Sequence, residues 1–173
     1  VQLQIGVAAG RTLAELGLHS APAVQGFAIQ WRINAETMDA RGQARPSSGT
    51  LQRFEMPGGP GIRVDTHGRA GNTPSAAYDT LLAKLIVHVR SSDFAEVLRR
   101  SRRALAECRI EGRETNLPLL RALAARPEFE RQTLHTGFVE AHLAELVAPA
   151  APAETPATPE GFVTLRSPMA ARL

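Results

Sequence analysis

Apolar and polar residues alternate strictly from Phe27 to Asn34, with Phe27, Ile29, Trp31 and Ile33 on one side and Ala28, Gln30, Arg32 and Asn34 on the other. Successive side chains of a strand point to opposite faces, so the pattern predicts a strand running to Glu36 with one buried face. Two further strands are read over 50–55 and 61–67, separated by Pro57-Gly58-Gly59-Pro60, a run that cannot continue a helix and favours a turn. Residues 81–89 form a nearly continuous apolar run, β-branched near its end, which fits a buried strand. The polar stretch from Thr37 to Gly49 reads as a loop.

The period then changes. Phe94, Val97, Leu98, Ser101, Leu105 and Cys108 recur at helical spacing, and Asp93 with Glu96 three residues on makes a capping-box-like start. A helix through Glu107 follows, with Arg99, Arg100, Arg102 and Arg103 on its opposite, solvated side. Residues 109–111 read as short and extended. Asn116 is placed to cap a helix that carries Pro118 in its first turn and stops before Pro127, and Thr136 to cap a last helix built on Val139, Leu143 and Leu146. At the start, Val1 to Ala9 reads as an amphipathic helix closed by Gly10, without a capping residue before it; a short helical turn follows around Leu13, Ala14 and Leu16. Strands first and helices afterwards argue for an α+β fold: an antiparallel β-sheet meander with helices packed on one side.

Composition narrows the class. The 173 residues, 43% hydrophobic and 21% charged, describe a globular chain of one domain size. No apolar run approaches the roughly 20 residues that span a bilayer, so no membrane partner is expected and a cytoplasmic location is the simplest reading. The net charge is +3, and Lys84 is the lone lysine among 20 basic residues. That bias toward arginine is not the concentrated basic surface that nucleic acid needs, so no nucleic-acid partner is expected. Cys108 has no second cysteine to pair with and reads as filler in a helix or core. His19, His67, His88, His135 and His142 are scattered, and no metal site is expected. Pro57–Gly61 is glycine-rich, but without a following lysine and Ser/Thr it is a turn and not a phosphate loop.

Beyond Leu146 the composition shifts to Ala, Pro, Thr and Glu, too poor in large apolar groups to pack, and residues 147–160 read as an extended Ala/Pro linker. Strand-like character resumes at Gly161-Phe162-Val163.

Chemistry concentrates on Arg32. A guanidinium on a rigid strand holds a planar anion well, because its donors form a preorganised fork whose charge is never lost. The alternative is an arginine on a solvated sheet face. Context enters with five motifs in order: Trp31-Arg32-Ile33-Asn34-Ala35-Glu36, Pro46-Ser47-Ser48-Gly49, Pro57 to Asp65, Tyr78-Asp79-Thr80-Leu81-Leu82-Ala83-Lys84-Leu85-Ile86, and Arg109-Ile110-Glu111-Gly112-Arg113-Glu114-Thr115-Asn116. Together they resemble the C-terminal domain of biotin carboxylase, the ATP-dependent component of biotin-dependent carboxylases.

The resemblance implies a division of the chain. Residues 1–10 would be the tail of an ATP-grasp domain, 11–146 the biotin carboxylase C-terminal domain, 147–160 the linker, and 161–173 the truncated start of a biotinyl carrier domain. It also implies roles. Arg32 matches the family arginine that binds bicarbonate and biotin and stabilises the charge developing on the ureido oxygen. Glu36, read from its place two steps beyond Asn34 on the same strand face and not from the resemblance, orients or pairs in preference to acting as the base. Arg63 and Asp79 match positions at the dimer interface of some members, although a salt bridge within the domain accounts for them equally. ATP and Mg would bind the ATP-grasp domain, with no cofactor on this chain, and biotin would sit on a carrier. The implied partners are the ATP-grasp domain, the biotinyl carrier, a carboxyltransferase component and a second copy in a homodimer. Ala77-Tyr78 in place of a tyrosine pair, and Thr37-Met38 after Glu36, depart from the family pattern. Acyl-CoA, pyruvate and urea carboxylases share this domain, so the acceptor stays open, as does a non-catalytic dimerisation or carrier-docking role.

Overall fold

The structure is a computed structural model that describes residues 1–21, 23–39, 41–75 and 79–147. The expectations for the carrier-domain start, for nearly all of the linker and for Ala77-Tyr78 lie outside these residues. In chain order, α1 (Gln2–Ala8) is followed by β1 (Phe27–Asn34), β2 (Glu36–Met38), β3 (Ala44–Pro46), β4 (Arg53–Glu55), β5 (Ile62–Thr66) and β6 (Leu81–Val89). Then come α2 (Phe94–Glu107), β7 (Arg109–Glu111), α3 (Leu117–Ala125), α4 (Pro127–Glu130), α5 (Phe138–Ala141) and α6 (Leu143–Val147).

The main sheet is antiparallel, in the order β1-β6-β5. The α+β class and the antiparallel strands agree with the sequence, while the strand order is not that of a simple meander: β1 skips its sequence neighbours and pairs with β6 along its whole length, from Phe27 opposite Val89 to Asn34 opposite Leu81. The reason is hydrophobic. β6 is the most apolar strand and takes the centre, flanked by β5, whereas β2 with β3 and β4 with β7 are three-residue ribbons of their own.

One face of this sheet is the core. Trp31, Ile33, Leu85, Val87 and Val89 pack against Val97, Leu98, Ala104 and Leu105 of α2 and against Leu117 and Ala124 of α3. Each such large aliphatic, fully buried, contributes about 1.5–3 kcal/mol over its exposed state. The Trp31 ring stacks on Phe129 at 5.6 Å, and Phe94 bridges Phe129 and Phe27. α2 starts where its sequence predicts, with Asp93 Oδ1 accepting the Ala95 N–H at 2.9 Å, but the reciprocal half of the expected capping box does not form: the Asp93 N–H donates to Ser91 Oγ at 3.1 Å in place of Glu96.

Several local readings change. The strand expected to reach Glu36 ends at Asn34, where the β1-β6 register slips, and Glu36 opens β2 beyond buried Ala35. The stretch read as a loop contains the β2-β3 hairpin, because Asp39 Oδ1 accepts the N–H groups of Arg41 and Gln43 and its other oxygen pairs with Arg45. The last helix is broken at His142 into α5 and α6. On α2, Arg99 and Arg103 are solvated, but Arg100 donates to the Pro60 and His88 carbonyls and Arg102 to that of Ala124. Two of the four arginines therefore tie α2 to its neighbours. The Pro57–Gly61 run is the turn expected; Gly61 has φ +75°, and a Cβ there would run into the His88 carbonyl.

Candidate functional site

The face of the sheet opposite the core is polar around Arg32, with Ile86 among the charged side chains. Gln30 and Arg32 of β1, Lys84 of β6, and Arg63 and Asp65 of β5 lie on it, with burial alternating along β1 as its sequence predicts. Register fixes who stands beside whom: Arg32 is directly opposite Lys84, and Lys84 in turn is directly opposite Asp65. Asp65 is held by Arg63 of its own strand through two parallel bonds, Nε to Oδ1 at 2.8 Å and Nη2 to Oδ2 at 2.9 Å. The Arg63 hydrogen bonds and charge, with a smaller contribution from Lys84, keep the Asp65 carboxyl below its usual range.

Arg32 is exposed, and no acceptor among the described residues lies within hydrogen-bond distance of its guanidinium. Its backbone, by contrast, is clamped. The Asn116 side chain reaches across to the free edge of β1, where Nδ2 donates to the Arg32 carbonyl at 3.1 Å and Oδ1 accepts the Asn34 N–H at 2.9 Å. The Asn116 N–H donates to the Asn34 carbonyl at 3.0 Å. Asn116 thus acts as a one-residue substitute for a neighbouring strand, alongside Arg32. It does begin α3, but its side chain makes no capping bond there, contrary to the capping role read from the sequence.

Behind Asn34 the chain is pinned again. Glu36 accepts from Asn34 Nδ2 at 2.9 Å and from Thr80 Oγ1 at 2.8 Å, while the Ala35 N–H donates to the Thr80 carbonyl at 2.7 Å. Both Glu36 oxygens have donors within the domain, which fits an orienting carboxylate. Arg113, 8% exposed, joins the loops on this flank by donating to the carbonyls of Pro74, at 2.6 Å, and Ser47.

The other candidates do not converge on Arg32. Arg63 is paired with Asp65, and Asp79 accepts the Leu81 N–H at 2.9 Å, capping the start of β6. The two are not joined to each other by any hydrogen bond. Among the described residues no group of three or more His, Cys, Asp or Glu side chains is gathered as a metal site. Lys84 and Asn116 were not singled out for chemistry by the sequence; only the β1-β6 register and the β1 edge bring them to Arg32.

The family profile of the biotin carboxylase C-terminal domain matches residues 30–141, and the chain belongs to that family. It is 36% identical over 139 residues to the biotin-dependent acyl-coenzyme A carboxylase alpha3 subunit of Mycobacterium leprae (strain TN), covering 78% of this chain and 23% of that protein. It is 38% identical over 142 residues to the pyruvate carboxylase of Aspergillus niger, covering 81% of this chain and 12% of that one. Its fold superposes on a single-chain, multi-domain long-chain acyl-CoA carboxylase with a TM-score of 0.77 and 41% identity, over 86% of this chain and 16% of that structure. The chain thus spans a quarter or less of these relatives.

Proposed function

We propose that this chain completes the biotin carboxylase centre of a multidomain biotin-dependent carboxylase, and that Arg32 is the residue it contributes to the reaction. One observation carries this reading: Arg32 is clamped through its backbone at the edge of β1 while its guanidinium is left without an internal acceptor. Five donors in a rigid fork, exposed and uncommitted, fit a small oxyanion or a developing enolate-like oxygen. In the proposed reaction, carrier-borne biotin accepts a carboxyl group from bicarbonate on its ureido nitrogen at the expense of ATP. Arg32 holds bicarbonate before transfer and faces the ureido oxygen as negative charge gathers there. Because the strand is fixed in advance, the donors need no reorganisation as that charge develops, and loss of such a donor costs about 3–4 kcal/mol of barrier. Glu36 keeps the Asn34 corner in place and moves no proton.

The reading assigns ATP and Mg to an ATP-grasp domain and biotin to a carrier, both beyond the described residues. Val1 and, within α1, Leu3, Ile5 and Val7 are between 46% and 90% exposed, an apolar set that suits packing against such a domain. The proposed partners also include a carboxyltransferase component and, through exposed Arg63 and Asp79, a second copy of the chain. No helix among the described residues is long and apolar enough to cross a membrane, which is consistent with the cytoplasmic location proposed. Relatives named acyl-CoA and pyruvate carboxylase match similarly well; the superposition on a long-chain acyl-CoA carboxylase supports an acyl-CoA acceptor, and acetyl-CoA carboxylation in fatty-acid metabolism is the setting proposed.

The test is Arg32→Ala in the full-length carboxylase. Biotin carboxylation should fall by about 10²–10³-fold, with the melting temperature no lower than that of the parent, since an exposed strand-face side chain adds little to folding. Parallel loss of rate and stability would overturn the role.

A further inference from the structure

We propose that Lys84 is the second cation of an oxyanion site shared with Arg32, so that the ligand is gripped from two adjacent strands. The inference rests on the reading of Arg32 given above and adds a residue to it. Arg32 and Lys84 are cross-strand partners in register, which brings their Cβ atoms to about 4.5–5.5 Å, and like charges so placed destabilise a sheet. A fold normally relieves such a pair with a carboxylate. Here the carboxylate in register is Asp65, on the far side of Lys84; the Lys84 charge acts on it, but both of its oxygens are bonded to Arg63 and it stands away from Arg32. No carboxylate among the described residues forms an ion pair with either Arg32 or Lys84.

The position of Lys84 argues against a surface lysine placed there by chance. It stands in the centre of the most buried strand, between Ala83 and Leu85, which are 1% and 0% exposed, and is itself only partly exposed. Its side chain stands on the sheet face in a row between Arg32 on one strand and Asp65 on the other. A planar anion lying over that row would accept from the guanidinium fork on one side and from the ammonium on the other, and would supply the missing negative charge. The ligand class is a small carboxylate-like oxyanion, with bicarbonate as the probe.

The experiment titrates bicarbonate into this chain at constant ionic strength, with chloride as the balancing salt, and follows the backbone amides of residues 32 and 84 by NMR. Both should shift together, and Lys84→Gln should weaken the apparent affinity about tenfold, the worth of one charge-assisted hydrogen bond. Lys84→Arg, which keeps the charge, should retain binding. In low salt without bicarbonate, Lys84→Gln should melt about 1–3 °C above the parent chain, because it relieves the like-charge pair. A Lys84→Gln variant that binds as the parent does, melts lower or fails to fold overturns the proposal, as does a parent chain in which neither amide responds. The two readings fail separately. Binding through both residues, with full activity in Arg32→Ala carboxylase, would sink the catalytic role and leave the site; loss of carboxylation with unchanged bicarbonate binding in Lys84→Gln would do the reverse.

Discussion

The two faces of the β1-β6-β5 sheet are drawn from the same strands, often from adjacent residues, yet they obey different rules. On the inner face Trp31, Ile33, Leu85 and Val87 are 4% exposed or less, and all belong to one cluster with residues of α2 and α3. On the outer face Arg32, Lys84, Arg63 and Asp65 carry three positive charges and one negative in two rows, with one internal ion pair among them. The inner face is optimised for folding. The outer face keeps a like-charge pair that folding alone would remove, and such local conflict is expected where a chain serves a ligand.

The sharpest way to break the comparison is to cut into the inner face. Leu85→Ala, at the centre of the central strand and 0% exposed, should cost about 2–5 kcal/mol in urea unfolding, against almost nothing for Arg32→Ala one strand away. Next is Cys108, 1% exposed at the end of α2. Burial pushes its thiol up to about 11, opposed in part by the charges of Arg121 and Arg109. The folded thiol holds its proton to higher pH than the unfolded one, so this stability is complete below about pH 9. It should decline as pH rises toward 11, by about 2 kcal/mol; Cys108→Ala should flatten that limb of the pH–stability curve, and an unchanged curve would refute the assignment. Asn116→Ala, which removes two bonds to the β1 edge, should cost about 1–2 kcal/mol and speed amide exchange at Asn34 more than at Val87. Uniform acceleration would mean that Asn116 supports the whole domain and not the Arg32 edge.

How much of this was legible beforehand follows from the range of each interaction. The alternation of β1, the apolar run of β6 and the α2 period are local patterns, and they placed Arg32 on the polar face without any knowledge of tertiary structure. The pairing of β1 with β6 was not legible, because the intervening strands offered nearer partners, and with it went the juxtaposition of Arg32 and Lys84. Asn116 misled for a chemical reason: an asparagine before a proline-containing first turn carries the usual signature of a helix cap, and nothing local shows that its amide matches the spacing of a strand edge. The same limit explains Arg100 and Arg102, whose helical positions read as solvated until the carbonyls of Pro60, His88 and Ala124 are brought beneath them.

Lys84 has one further consequence. As the chain holds a single lysine, acylating labels and amine-directed cross-linkers can find a side-chain target only on the outer face. A reagent that ordinarily scatters over a protein would here work as an address, and whatever it joined through the Lys84 side chain would have been lying against that sheet.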